Sequence, residues 1–193
     1  MGREEKRQRI YQVALRLFSG FGYKETTVEV IAGELGMTKG NLYLYARNKR
    51  DLYNSCVAWA LKRWQQNAKR EADKEEGCAA KLYTYFNAGY HYLESDTILR
   101  DLIIRDPQLF PLTETQDAFY EINVASRNIL LGYLREGIER GEFRPFEAEG
   151  VAELLYSFYV MLVVKRYVMN GRIPSQKVLD NAFELILYGI LEG

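Results

Sequence analysis

This 193-residue chain is poor in imidazole and thiol, with one histidine and two cysteines. Cys56 and Cys78 are too few for a disulfide framework, and neither their spacing nor His91 completes a metal-ligand pattern. Reduced thiols in a cytoplasm are the expected state. The one imidazole makes no recognisable pair with a Ser or Cys nucleophile, and no Gly-rich phosphate loop is present. No enzyme activity, cofactor or metal is therefore expected. The uncharged apolar run LLYSFYVMLVV at 154–164 lies between Glu153 and Lys165 and is well short of the roughly 18 residues that span a bilayer. The start, MGREEKRQRI, lacks the apolar centre of a signal peptide, so neither export nor membrane insertion is expected. Net charge is absent too, with 26 Lys/Arg against 26 Asp/Glu, which argues against a general nucleic-acid coat.

What the chain does have is helical periodicity. Hydrophobic residues make up 48 % of it, none alternate with period two, and the four prolines (107, 111, 145, 174) fall where helices should break. The expectation is an all-α protein. Ile10, Val13, Ala14, Leu17, Phe18 and Phe21 form one stripe of a first helix that Gly20 and Gly22 should end. Leu52, Tyr53, Cys56, Val57, Ala60, Leu61 and Trp64 form another, on a helix that starts near Lys49 and fades into KREADKEE at 69–76. Further helices are predicted at about 79–94, 96–105, 115–140, 147–170 and 175–191. Charge is shared unevenly: residues 1–52 carry ten Lys/Arg against six acids, and the remainder carries the compensating excess of acid. No flexible linker separates the two parts.

Between Thr27 and Tyr45 the chain reads as two short helices. Thr27 suits the N-cap of a helix over 28–35, Gly36 a left-handed C-cap, and Thr38 the N-cap of the second helix. Counted from Val28, the small Ala32 falls where two crossing helices touch, and Ile31, Leu35, Met37 and Leu42 fall where the pair must be apolar. This is helix-turn-helix spacing. With Leu42 inward, Lys39, Gly40, Asn41, Tyr43 and Leu44 lie at or near the outer face of the second helix, which can then enter a major groove. Gly40 lets the backbone approach closely, Lys39 and Asn41 can bond base edges, and the amides capped near Thr38 favour a phosphate. Tyr43, Tyr45 and Lys49 would reach flanking phosphates and fix register. Packing is the competing reading for the two tyrosines, and simple solvation for Lys39; Ile31, Ala32 and Leu42 are structural.

At these residues TTVEVIAGELGMTKGNLYLYARNKRDLY closely resembles the DNA-binding segment of TetR/AcrR transcriptional regulators, whose pattern is T-x-x-x-I-A-x-x-x-G-x-[ST]-x-G-x-[LI]-Y-x-[YH]-F-x-x-K-x-x-L. FSGFGY at 18–23 supplies the family's ending of the first helix, and the match covers about residues 8–53. Carried over position by position, the resemblance implies DNA contact for Thr27, Thr38, Lys39, Gly40, Tyr43, Tyr45 and Lys49, with Asn41 added from the reading of the face. Ala46 stands where the family usually has a packing Phe. The implied organisation is a helix-turn-helix domain at 1–48 and a helical ligand-binding and dimerisation domain at 49–193.

The larger part has material for both roles. VAELLYSFYVMLVV at 151–164 and VLDNAFELILYGIL at 178–191 are apolar nearly all round, so each needs partners on every side. A two-fold four-helix interface through these last two helices would supply them; a fully internal pair in a monomer is the alternative. Tyrosine and phenylalanine crowd the middle, and Tyr85, Phe86, Tyr90, Phe119, Tyr120, Phe158 and Tyr159 are candidates to line a cavity for an apolar or aromatic small molecule, against ordinary core packing. The resemblance implies a ligand-responsive homodimeric repressor, bound to palindromic operator DNA in the cytoplasm. The rival reading is a helical dimer that binds a small molecule or protein without regulating DNA.

Overall fold

The computed structural model describes residues 2–106, 109, 118–168 and 176–190, and among them the regular structure is helical, with no β-strand. The helices are α1 (Arg3–Phe21), α2 (Val28–Glu34), α3 (Lys39–Leu42), α4 (Lys49–Ala72), α5 (Cys78–Ser95), α6 (Thr97–Arg105), α7 (Tyr120–Glu139), α8 (Ala148–Val163) and α9 (Gln176–Ile190). A π-helical turn, Val164–Val168, continues α8. Of the residues expected to be helical, 115–117, 169–170, 175 and 191 lie outside the described set.

Packing divides the chain into two compact units: Met1–Arg63 with Asp96–Ala118, and Trp64–Ser95 with Phe119–Gly193. α4 is unbroken across the first boundary. In the first unit Ile10, Ala14, Leu17 and Phe18 of α1 are buried as the stripe requires, but Val13 is half-buried and Phe21 is 63 % exposed. The stripe ends one turn early because α1 stops at Phe21. Gly20 stays helical, and it is Gly22, at φ 89°, that turns the chain while its N–H donates to the Phe18 carbonyl at 2.9 Å. The sequence pattern did not reveal that α6 returns to this unit and packs on α1. Arg105, in its last turn, donates from Nε and Nη2 to the carbonyls of Ser19 and Gly20, both at 2.9 Å, so a guanidinium satisfies the end of α1. The Tyr53 hydroxyl of α4 donates to Asp106, and the Tyr53 ring stands edge-on to Phe18 at 5.1 Å.

The second unit has its own core, with Leu82 and Phe86 of α5, Leu130 and Leu134 of α7, Leu155 and Leu162 of α8 and Phe183 of α9. Gly137 of α7 leaves room for the Phe143 ring; a β-carbon there would come within 2.2 Å of it. Among the exposed apolar side chains are Leu154 and Met161 of α8 and Val178, Leu185 and Tyr188 of α9, the last two at 76 % and 84 %.

Candidate nucleic-acid interface

Two short helices joined by a tight turn build this surface, and each device sits where the residues put it. The Thr27 hydroxyl accepts from the Val30 amide and the Thr38 hydroxyl from the Asn41 amide, both at 3.2 Å, capping α2 and α3. Between them Gly36 adopts φ 64°, its N–H donating to Gly33 O at 3.0 Å, and Met37 N–H donates to Ala32 O at 2.9 Å. Val28, Ile31, Ala32 and Leu42 are buried; Leu35 and Met37 are half-buried. The second helix is shorter than the reading toward Tyr45: after Leu42 the backbone tightens, with Leu44 N–H bonded to Asn41 O at 3.4 Å and Tyr45 N–H to Leu42 O at 2.9 Å, three-residue steps that end the α pattern.

The outward side chains are those the spacing selects. Thr27, Thr38, Lys39, Gly40, Asn41, Tyr43 and Leu44 are exposed, Leu44 at 74 %, while Leu42 is 1 % exposed. Glycine inside a helix costs about 0.5–1 kcal/mol relative to alanine, yet a β-carbon on Gly40 would meet nothing nearer than Thr38 Oγ1 at 3.9 Å. Among the described residues nothing requires the bare backbone there, which is what close approach from outside would need. Lys39 is not simply solvated: its Nζ lies 2.5 Å from Glu29 Oε1 and 5.8 Å from the centre of the Tyr43 ring. That hydrogen bond holds the Lys39 pKa above and the Glu29 pKa below their ordinary values.

Tyr45 and Lys49 differ from the rest. Both are half-buried, Tyr45 with the Lys6 ammonium 5.7 Å from its ring, and Lys49 donating to the Lys24 carbonyl at 3.1 Å while lying 4.5 Å from the Tyr23 ring centre. Lys49 thus ties the start of α4 to the segment after α1. Asn48 accepts from Asp51 N–H at 2.9 Å, and Asp51 returns to Arg47 N–H at 2.8 Å, closing that helix start. Ala46 is buried. Lys6 and Arg9 of α1 escaped the motif-based reading; with Gly36, Thr38 and Asn41 they border a cleft of about 480 Å³. The signal available was that Lys6 precedes the buried Ile10 by one helical turn.

Of the aromatic candidates in the second unit, Tyr85, Phe86 and Tyr159 come together, Phe86 edge-on to Tyr159 at 5.3 Å and to Tyr85 at 6.0 Å. Phe158 packs half-buried against the same core, and Phe119 is buried. Tyr90 is buried under the Arg166 guanidinium, 4.3 Å from the ring centre, and Tyr120 is 39 % exposed at the start of α7. Burial raises the pKa of Tyr159, and that of Tyr85 to about 12. The stripe marked Trp64 as apolar and left Gln65 out, so the hydrogen bonds of both had no signal in the pattern. Trp64 donates to Gly89 O at 2.7 Å, and Gln65 donates to Ile122 O and Ser126 Oγ at 3.0 and 2.8 Å, placing polar groups inside an aromatic setting.

A capped, glycine-turned helix pair whose second helix keeps a polar face exposed is the helix-turn-helix motif of DNA-binding regulators. Residues 10–56 match the family profile of bacterial regulatory proteins, tetR family. The fatty acid metabolism regulator protein of Bacillus subtilis is 29 % identical over 192 residues, covering 96 % of this chain and 95 % of that one. The transcriptional repressor KstR2 of Mycolicibacterium smegmatis is 26 % identical, over 97 % and 92 %. The fold matches that of the transcriptional regulator FadR from Bacillus subtilis in complex with stearoyl-CoA, with a TM-score of 0.76 at 22 % identity over 94 % and 98 %. Residues 10–56 thus carry the DNA-binding segment of the tetR family, and the two relatives that match over nearly the whole chain are both transcriptional regulators by name.

Proposed function

We propose that this protein is a ligand-responsive repressor that occupies a palindromic operator as a cytoplasmic homodimer and leaves it when an apolar or aromatic small molecule binds. The observation that carries the reading is the outer face of α3: Lys39, Gly40, Asn41 and Tyr43 exposed around a buried Leu42. In this reading residues 1–48 form the DNA-binding domain and 49–193 the ligand-binding and dimerisation domain. Thr27, Thr38, Lys39, Gly40, Asn41, Tyr43, Tyr45 and Lys49 face the duplex. Of these, Lys39 and Asn41 read bases, and Tyr43, Tyr45 and Lys49 set register on phosphates. A helical module that never regulates DNA would have no use for a bare Gly40 or for polar residues kept on that face.

The dimer forms through α8 and α9, whose exposed Leu154, Met161, Leu185 and Tyr188 favour a two-fold interface over a monomer with an internal helix pair. The effector lies among Tyr85, Phe86, Tyr90, Phe119, Tyr120, Phe158 and Tyr159. A regulator of fatty acid metabolism and a stearoyl-CoA complex among its relatives make a long-chain acyl-CoA the first effector to try. α4 runs unbroken from Lys49 to Ala72, so an effector that resets it changes the spacing of the two recognition helices. Release requires tighter binding to the non-DNA-competent spacing, since equal affinity shifts nothing. The test is reciprocal. Stearoyl-CoA should weaken binding to a duplex selected by the protein, and that duplex should weaken stearoyl-CoA binding by the same factor. Equal calorimetric affinity with and without saturating duplex would remove stearoyl-CoA as inducer.

A further inference from the structure

The recognition helix carries a lysine that is already engaged. Lys39 Nζ and Glu29 Oε1 are 2.5 Å apart, although both side chains are about half exposed and neither is forced into the pairing by burial. α2 carries a second acid, Glu34, and that one turns to Arg16 of α1 at 2.6 Å, so Glu29 is the α2 carboxylate directed at α3. An ammonium has three donors, and Glu29 occupies one. The Tyr43 ring, 5.8 Å away, flanks the same ammonium. A flexible four-carbon stem is thereby held close to the helix, with two donors left over.

Resting on the DNA-binding reading above, we infer that Glu29 is a positioning residue for sequence discrimination: it holds Lys39 toward a base edge and denies it to passing phosphates. A guanine edge offers two adjacent acceptors, O6 and N7, that the two remaining donors can meet while Glu29 keeps the third. A phosphate on random DNA must instead draw Lys39 away from its carboxylate, against a fixed negative charge beside the duplex. Lys39 then contributes little to the counterion-release binding that any sequence enjoys.

The test uses the full-length protein, an operator duplex selected by the wild type from a random pool, and a scrambled duplex of equal length, with affinities read by fluorescence anisotropy over a range of KCl. E29Q, which keeps the side-chain size and removes the charge, should bind the scrambled duplex about three- to tenfold tighter, with a salt slope steeper by about one phosphate. The ratio of operator to scrambled affinity should fall about tenfold, within the range that one bidentate base contact supplies. In a K39M background E29Q should leave that ratio unchanged, because there is no ammonium to hold. The inference is overturned if E29Q shifts both duplexes equally, or if its effect survives in K39M, either result meaning that Glu29 acts as a plain surface charge. Should the wild type select no duplex from the pool, the DNA-binding reading falls first, and this inference with it.

Discussion

Shortening Leu42 to alanine tests how the recognition helix is held. α3 has four residues, far below the length at which a helix sustains itself in water, and Leu42 is its single buried side chain. Truncating a fully buried leucine to its β-carbon costs about 2–5 kcal/mol. At about 3 kcal/mol the balance between docked and undocked α3 moves on the order of a hundredfold. Apparent affinity scales with the docked fraction, so Leu42→Ala should bind operator about 10- to 100-fold more weakly. Anisotropy gives that number. Hydrogen exchange locates the cause: the amides of Tyr43 and Tyr45, which donate to Lys39 O at 3.1 Å and Leu42 O at 2.9 Å, should lose protection. Far-UV circular dichroism should barely change, because the long helices remain. Operator affinity within about threefold of wild type, with protection intact, would refute the argument that this one side chain anchors the reading helix.

Two glycines should fail for different reasons in thermal melts. Gly36→Ala meets no atom within 4 Å but sits at φ 64°, so it should cost about 1 kcal/mol, and Gly36→Asn less. Gly137→Ala drives a β-carbon to 2.2 Å from the Phe143 ring and should cost about 1–3 kcal/mol; a Gly137→Ala variant as stable as wild type would contradict the close contact. Arg105→Ala removes both donors from the end of α1 and should cost about 1–2 kcal/mol, discounted because Nη2 is exposed to water, or about 2–8 °C in Tm. An unchanged Tm would mean water caps that end equally well. Alkaline pH supplies the last test. Burial raises the Tyr85 pKa from 10.0 to about 12, so the native state keeps its proton longer than the unfolded chain. Stability is then full below pH 10 and falls as pH rises toward 12, by on the order of 3 kcal/mol from this group. Tyr85→Phe should flatten that part of the Tm profile, and a profile that stays unchanged would count against the burial.

Local rules made the reading head legible. Thr27 and Thr38 cap their helices through residues three positions away, Gly36 sets a turn by its own φ, and Ile31, Ala32 and Leu42 follow from helical spacing. Each constraint acts within a turn or two of backbone, so the sequence by itself determined an all-α chain, a helix-turn-helix and the outward face of α3. The continuous apolar stripe from Leu52 to Trp64 was legible for the same reason, and all seven of its residues are buried.

Contacts that close across long stretches of chain carry no periodic signal, and these only the tertiary structure decided. Arg105 ends α1 from 86 residues away, Tyr53 bonds Asp106 across 53, and α6 thereby joins the first compact unit. Phe21 fits the stripe yet is exposed, because Gly22 turns the chain before a partner arrives. Among fifteen tyrosines, composition could not separate Tyr85 and Tyr159, gathered around Phe86, from the exposed Tyr120. Nor could it show Lys39 held by Glu29. Helical periodicity fixes which way a side chain points from its own axis; what it meets there depends on how distant segments pack, and that is settled by volume, burial and hydrogen-bond satisfaction over the whole fold.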